Sequence, residues 1–437
     1  MLKTIRNAWK LPDLRKKIIF TGLILLIYRV GNAVPVPYID ASLLSTYFTS
    51  LENTVLGLYN AMSGGAFASA TIFALSIQPY INSSIIIQLL CVAIPALERM
   101  SKEEGEEGKK KIEKITRFLT IGLGLLMGFG YYMLISRNNL LSETGVWPAF
   151  VIILTFAAGS TFIMWLGEQI NEFGIGNGIS IILFASIVSR VPKLVTSLFT
   201  YTRNYFLRDS IENATVYTPW GTALIIIGIL AIMVFIIFIS DAECRLPVSY
   251  AKRVVGRKVY GGQSTHLPMK VNMSGVMPII FAQSIASLPA TAAAFFPQPA
   301  EGTFWYAFLN AIDTHSALYI VCYFLLIIAF SYFYATIQFN PVEVANNLRK
   351  SGGFIPGFRP GRPTAEFIRK VLNKITLFGA IYLGIVAIMP ILAGKVVDTT
   401  SLSLGGTSLI IVVGVALETV KSLENQMLMR HYKGFLE

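Results

Sequence analysis

LGLYNAMSGGAFASATIFALSIQPYINSSIIIQLL, residues Leu56–Leu90, decides the fold. The stretch is apolar enough to enter a membrane, yet it does not read as one plain span. Val55, Leu58, Tyr59 and Met62 recur at helical spacing, with Thr54 placed to cap them. Ser63-Gly64-Gly65 then breaks the helix. The piece before the break runs to about ten residues, roughly 15 Å of helix. A hydrocarbon core is about 30 Å thick, so this half-helix cannot cross it. A second helix, kinked at Pro79, is expected from Thr71 to Ile94, and that one is long enough. It carries Gln78, Asn82, Ser83, Ser84 and Gln88 among Ile and Leu. Non-helical backbone at membrane depth survives only against protein or a watery cavity, because unsatisfied polar groups are costly in lipid. A broken helix followed by a polar-flecked one therefore implies an internal cavity or pore. A Gly-rich loop outside the membrane, ahead of an ordinary span, is the other reading of the same residues.

Composition supports a membrane setting. Of 437 residues 54% are hydrophobic and 14% charged, and the mean hydropathy is +0.62. A soluble domain carries about 25% charged residues. The chain therefore reads as a polytopic α-helical membrane protein. Cys91, Cys244 and Cys322 are far apart and form no CxxC, so neither a metal site nor a disulfide framework is expected.

The net charge of +12 is unevenly placed. Residues 1–17 form a basic, amphipathic N-terminus with Lys3, Arg6, Lys10, Arg15, Lys16 and Lys17 around Asp13. Ile18–Val36 is too long an apolar run for a signal peptide and is followed by Val34-Pro35-Val36-Pro37 rather than a small-residue cleavage site, so it reads as a retained first span. With residues 71–94 as the second, the remaining spans are expected at 117–135, 148–167, 179–198, 220–240, 273–296, 317–339, 375–392 and 404–420. Residues 30–98 contain no Lys or Arg, whereas basic residues crowd Arg99–Arg117, Arg245–Lys270 and Arg349–Lys370. By the positive-inside rule both termini are cytoplasmic. One pair of loops disagrees: that after the fourth span has Glu168 and Glu172 and no base, and that after the fifth should be external, yet Arg190, Lys193, Arg203 and Arg208 lie in or beside it. Ten spans divide near residue 205 into halves of five, 18–204 and 205–425, and an odd number per half implies inverted halves. Residues 426–437 form a cytoplasmic tail.

Span centres are almost free of ionisable groups, which argues against ion-coupled transport. No HExxH, GxSxG or phosphate loop occurs, and neither an enzyme nor a cofactor is expected. Two loops, 241–272 and 340–372, exceed what a turn requires. Residues 251–272 mix basic and β-branched residues and break at Gly261-Gly262, as a hairpin-like projection would. Residues 341–363 are rich in Gly, Pro and Arg, with a short helix expected over Val342–Lys350. Basic projections of this kind suit RNA or an acidic protein surface; setting the topology is their simpler use.

In these stretches the chain resembles the SecY family, central subunits of the protein-conducting channel. The matching text is GGAFASATIFALSIQPYINSSIIIQLL (Gly64–Leu90), GEQINEFGIGNGISI (Gly167–Ile181), QSTHLPMKVNMSGVMPIIFA (Gln263–Ala282), NPVEVANNLRKSGGFIPGFRPG (Asn340–Gly361) and GGTSLIIVV (Gly405–Val413). The resemblance implies an all-α protein in the bacterial plasma membrane, its ten spans forming two inverted five-helix halves around a central pore. It implies a re-entrant plug at about 55–69, including Leu58, Tyr59, Asn60, Met62, Gly64, Gly65 and Phe67. A pore ring maps to Ile77, Ile81, Ile179, Leu183, Ile280 and Ile411; Leu183 departs from the commoner isoleucine without loss of volume or apolarity. The lateral gate would run between spans 2 and 3 and spans 7 and 8, with Asn82, Gln88, Gln283 and Leu288 as its residues. Lys252, Arg253, Arg257, Lys258, Arg349, Lys350 and above all Arg359 would receive the ribosome or the SecA motor. SecE and SecG would complete the complex, signal-sequence-bearing polypeptides would be its substrates, and membrane lipids would receive the hydrophobic segments released sideways. The rival reading is an inverted-repeat secondary transporter of a small neutral solute, which predicts a compact polar site at mid-membrane and short loops.

Overall fold

Pro12 is tolerated in a first helical turn, where its missing N–H has no partner to lose, and it begins the first long helix just after a short one. In the computed structural model residues 2–50, 55–102, 105–206, 218–250, 253–255, 258–260, 264–273, 275–294, 303, 316–397 and 406–433 are described. The helices are α1 (Leu2–Lys10), α2 (Pro12–Gly31), α3 (Ala41–Ser50), α4 (Val55–Met62), α5 (Gln78–Ala93), α6 (Pro95–Lys102), α7 (Gly105–Arg137) and α8 (Val146–Phe173). They continue as α9 (Gly178–Val188), α10 (Val191–Phe206), α11 (Pro219–Ser240), α12 (Met277–Ala294), α13 (Ala317–Gln338), α14 (Pro341–Lys350), α15 (Arg362–Val397) and α16 (Gly406–Lys433). Each of the ten expected spans coincides with a helix: α2, α5, α7, α8, α9 with α10, α11, α12, α13, α15 and α16. Among the described residues, six helical stretches are long and apolar enough to cross a membrane unaided.

Two expectations change. The second span begins as a helix at Gln78, not Thr71. Ala70 (φ 43°) and Ser76 (φ 49°) are left-handed, which no α-helix through 71–77 accommodates. Pro79 therefore falls in the first turn of α5 and does not kink it. The fifth span, expected over 179–198, lies within one apolar helical stretch, Gly178–Tyr205, in which a two-residue turn at Ser189 and Arg190 separates α9 from α10. Thr54, the expected cap, lies outside the described residues.

The irregular backbone of 63–77 is inside the protein, not in a surface loop. Ala66, Ala70, Phe73, Ala74, Leu75 and Ile77 are buried. The backbone N–H of Val36 donates to Ala70 O at 2.9 Å and that of Ile72 to Val34 O at 3.0 Å, so the Val-Pro-Val run after α2 pairs with the returning chain. Gly159 of α8 lets Ile72 come close; a Cβ there would lie 2.0 Å from Ile72 O. The polar backbone at this depth is thus paired against protein.

The strands lie in the connections. β1 (Glu243–Tyr250) pairs antiparallel with β4 (Ser264–Lys270), from Glu243↔Lys270 to Ser249↔Ser264, and on its other edge with β5 (Gly353–Phe354). At the tip β2 (Arg253–Val255) pairs with β3 (Lys258–Tyr260). The expected hairpin therefore exists but starts at Glu243, and through β5 the two long loops share one sheet. Val248, Ala345, Ile355, Ala365 and Ile368 form the small core beneath it.

The main core draws on both halves of the chain, with Ile81 and Leu183 in the same cluster as Ile280 and Ile411. A second cluster, including Phe48, Tyr59, Phe67, Tyr131 and Phe156, lies against the break in the second span.

Candidate pore, plug and docking surface

The half-helix α4 is eight residues long, about 12 Å. It ends where expected, at Gly64 (φ 70°) and Gly65 (φ 94°), conformations that suit glycine. The turn after it is held locally: Asn60 O accepts from Gly65 N, Asn60 Oδ1 from Ala68 N, and Ser63 Oγ from Phe67 N. The Tyr131 hydroxyl on α7 donates to Phe67 O, and the Phe67 ring sits among Phe48, Tyr59 and Tyr131. Gly64 rests on α9, where an added Cβ would lie 2.9 Å from both Ser186 O and Ser189 Oγ.

Met62 closes α4. Its Sδ accepts from Gln78 Nε2 at 3.0 Å and from Gln283 Nε2 of α12 at 3.4 Å. The Tyr59 hydroxyl lies 3.3 Å from Ser287 Oγ, also on α12. One half-helix thus touches helices of both halves. The two glutamine Oε1 atoms are buried without a partner among the described residues. Ser287, Tyr131 and Ser186 were not singled out in the sequence; isolated hydroxyls in apolar runs are too common to mark a site.

Five of the six ring positions, Ile77, Ile81, Leu183, Ile280 and Ile411, are buried in the main core, and half-buried Ile179 packs against it. Ile77 caps α5, its carbonyl accepting from Ile81 N at 3.0 Å, so the two stand one turn apart. Asn177 caps α9 by accepting from Ile179 N and Ser180 N, which starts that helix just below Ile179.

The gate residues are not brought together as a set. Gln283 is buried against Met62. Gln88 Nε2 bonds Ser84 Oγ one turn back on its own helix, Asn82 is half-buried, and Leu288 is exposed.

On the sheet face Arg349 and Lys350 are exposed in the last turn of α14, where cations suit the helix dipole. Arg359 is exposed in a turn bounded by Gly357 (φ 88°) and Gly361 (φ 106°). Thr364 Oγ1 donates to Arg359 O at 2.8 Å, and Phe358 stacks on Phe367 with centroids 4.2 Å apart. Arg253 and Lys258 occupy β2 and β3, while Lys252 and Arg257 lie outside the described residues. Lys421 of α16 donates to Asp241 at 2.6 Å; this hydrogen bond and the ammonium charge hold the Asp241 carboxyl below its ordinary pKa.

Comparison with known proteins fits this geometry. The family model described as SecY matches residues 71–420. Curated relatives include the protein translocase subunit SecY of Streptomyces scabiei, 42% identical over 450 residues, and that of Bacillus subtilis, 42% identical over 443, each match covering all of both chains. Among solved structures, one titled as a protein-conducting channel superposes with a TM-score of 0.65 at 16% identity, over 97% of both chains. Sec61 in a canine ribosome-channel complex gives a TM-score of 0.60, also at 16% identity and 97% of both chains. Family model and full-length relatives agree, and the chain belongs to the SecY family.

Proposed function

We propose that this chain is a protein-conducting channel that passes unfolded secretory polypeptides across the bacterial plasma membrane and releases hydrophobic segments sideways into lipid. The observation that carries the proposal is the half-helix α4, too short to span, buried in the bundle and bonded to both halves. A conduit for unfolded chains must accept any side chain, so it offers no specific polar site. When idle it must hold back ions. Ile77, Ile81, Ile179, Leu183, Ile280 and Ile411 form a short aliphatic neck that does both, since such side chains exclude water and yield to a passing chain without broken hydrogen bonds. Residues 55–69 are the plug of the funnel beyond it, and α5 and α7 face α12 and α13 across the lateral gate.

Both termini and the sheet face are cytoplasmic. There the two joined loops receive the SecA motor or the ribosome, with Arg359 as the central contact, and SecE and SecG complete the assembly. Residues 18–204 and 205–425 act as two clamshell halves. Membership of the SecY family and the aliphatic character of the convergent positions remove the small-solute transporter.

The test is reconstitution. Proteoliposomes holding the chain, its copurifying small subunits, SecA and ATP should carry a secretory precursor into a protease-protected space. A precursor that stays fully digestible under these conditions refutes the reading.

A further inference from the structure

Leu11 turns the chain between α1 and α2. Its extended backbone (φ −87°, ψ 118°) is what a residue ahead of proline adopts, so α1 folds away from the axis of α2. The turn lays α1 on the far end of the chain. Ala8 is fully buried, and with Leu14 and Ile175 it packs in one small core with Leu423 of α16. Thr4 Oγ1 donates to Glu424 Oε1 at 2.9 Å, and Lys17 Nζ donates to Gln426 Oε1 at 3.2 Å. Through α2 this helix is continuous with residues 18–204, whereas α16 closes residues 205–425. The contact therefore joins the two halves.

The same turn of α16 is also tied to its own half, where Lys421 bonds Asp241 at the end of α11. A second tie between the halves lies at the other end of α11. There the chain passes from α10 to α11, and Thr202 Oγ1 lies 2.8 Å from Thr222 Oγ1. Thr222 and Asp241 are nineteen residues apart on α11, about 28 Å, close to the thickness of a hydrocarbon core. One tie leaves two bodies able to twist past each other. Two ties a membrane apart define an axis and leave rotation about it, which is hinge motion.

We infer that α1 is a hinge pin: docked on α16, it supplies the second end of the axis about which the halves open. It thereby keeps Ile411 of α16 aligned with Ile179 and Leu183 of α9 while the channel is idle. The inference rests on the channel reading above and on its division into two halves.

The test is a charge swap across the pin, read in the intact chain with its copurifying small subunits. Thr4→Glu sets two carboxylates against each other and should raise resting ion conductance in planar bilayers about fivefold. Adding Glu424→Lys restores attraction and should return the conductance to within about twofold of the parent, which a general loss of folding would not allow. A pin does not part during transport. With Cys91, Cys244 and Cys322 changed to Ser, Thr4→Cys and Glu424→Cys joined by a short bis-alkylating reagent should carry a secretory precursor at the unlinked rate. A Thr4→Glu variant as tight as the parent, a leak that the swap leaves in place, or transport that stops on linking overturns the assignment. A parent that carries no precursor instead overturns the channel reading, and the inference with it.

Discussion

Nε2 of Gln78, the first residue of α5, donates to Sδ of Met62, the last residue of α4, at 3.0 Å. The bond spans the break in the second span, and Gln283 of α12 reaches the same sulfur. A thioether is a weak acceptor, so the volume of Met62 should matter more than its bonds. Met62→Ala empties a buried site at a cost of about 2–5 kcal/mol, whereas Met62→Leu keeps volume for less than about 1.5 kcal/mol. The Ala variant should show frequent openings at rest in single-channel recordings and the Leu variant few. Indistinguishable traces would mean that Met62 does not seat the plug.

The two hinge glycines should differ. Both have positive φ, so alanine at either is strained by roughly 1–2 kcal/mol. At Gly65 nothing lies within 4 Å of an added Cβ, but at Gly64 the Cβ meets the backbone oxygen of Ser186 at 2.9 Å. Gly64→Ala should therefore raise resting leak more than Gly65→Ala. The reverse order would show that the plug does not rest on α9.

Much of this was legible in the residues. The break at Ser63-Gly64-Gly65, the half-length of α4 and the helix of the second long loop stand where spacing and turn chemistry put them. The irregular run 71–77 did not show itself, because Thr-Ile-Phe-Ala-Leu-Ser-Ile has the apolarity of a helix. What keeps it open is tertiary: pairing with Val34 and Val36 and close approach to Gly159. The joining of two distant loops through β1 and β5 was likewise invisible, since two residues of pairing carry no pattern. Leu288 was chosen from the family resemblance alone, and it is exposed.

Arg359 offers a charge test of docking. Its turn is fixed by Thr364 Oγ1 on the carbonyl and by the Phe358–Phe367 stack, neither of which uses the guanidinium. Arg359→Glu should leave thermal unfolding within about 0.5 kcal/mol of the parent. It should nevertheless abolish motor-driven translocation, by losing one charge-assisted contact and adding repulsion. Normal ATP-driven transport by the variant would remove Arg359 from the docking surface.

The Asp241–Lys421 pair predicts a pH dependence. The folded carboxyl titrates below its ordinary value, so its contribution is fully present above about pH 4 and is lost as pH falls through the lower folded value. Both side chains are partly exposed, at 62% and 31%, so the pair contributes no more than about 1 kcal/mol at neutral pH. Lys421→Met should melt slightly below the parent at pH 7, and the gap should narrow as the pH falls below the ordinary carboxylate range. A gap that persists at low pH would mean that the lysine acts through packing.

The neck gives the sharpest test of the pore. Ile81 and Ile280 come from different halves, are both buried, and lie in one apolar cluster. Buried isoleucines at helical spacing are ordinary core in most proteins, so burial alone does not distinguish a seal from a core. The two explanations separate under polar substitution. In an ordinary core, replacing both with Asn leaves buried amides unpaired and costs stability. In a water-excluding neck, the same amides bind water that then persists between the funnels, and the idle channel conducts. Ile81→Asn with Ile280→Asn should therefore raise resting ion conductance and admit precursors with defective signal sequences. Replacing both with Leu keeps volume and apolarity and should change little. If the Asn pair conducts no more than the Leu pair in planar bilayers while both remain folded, the constriction lies elsewhere along the pore.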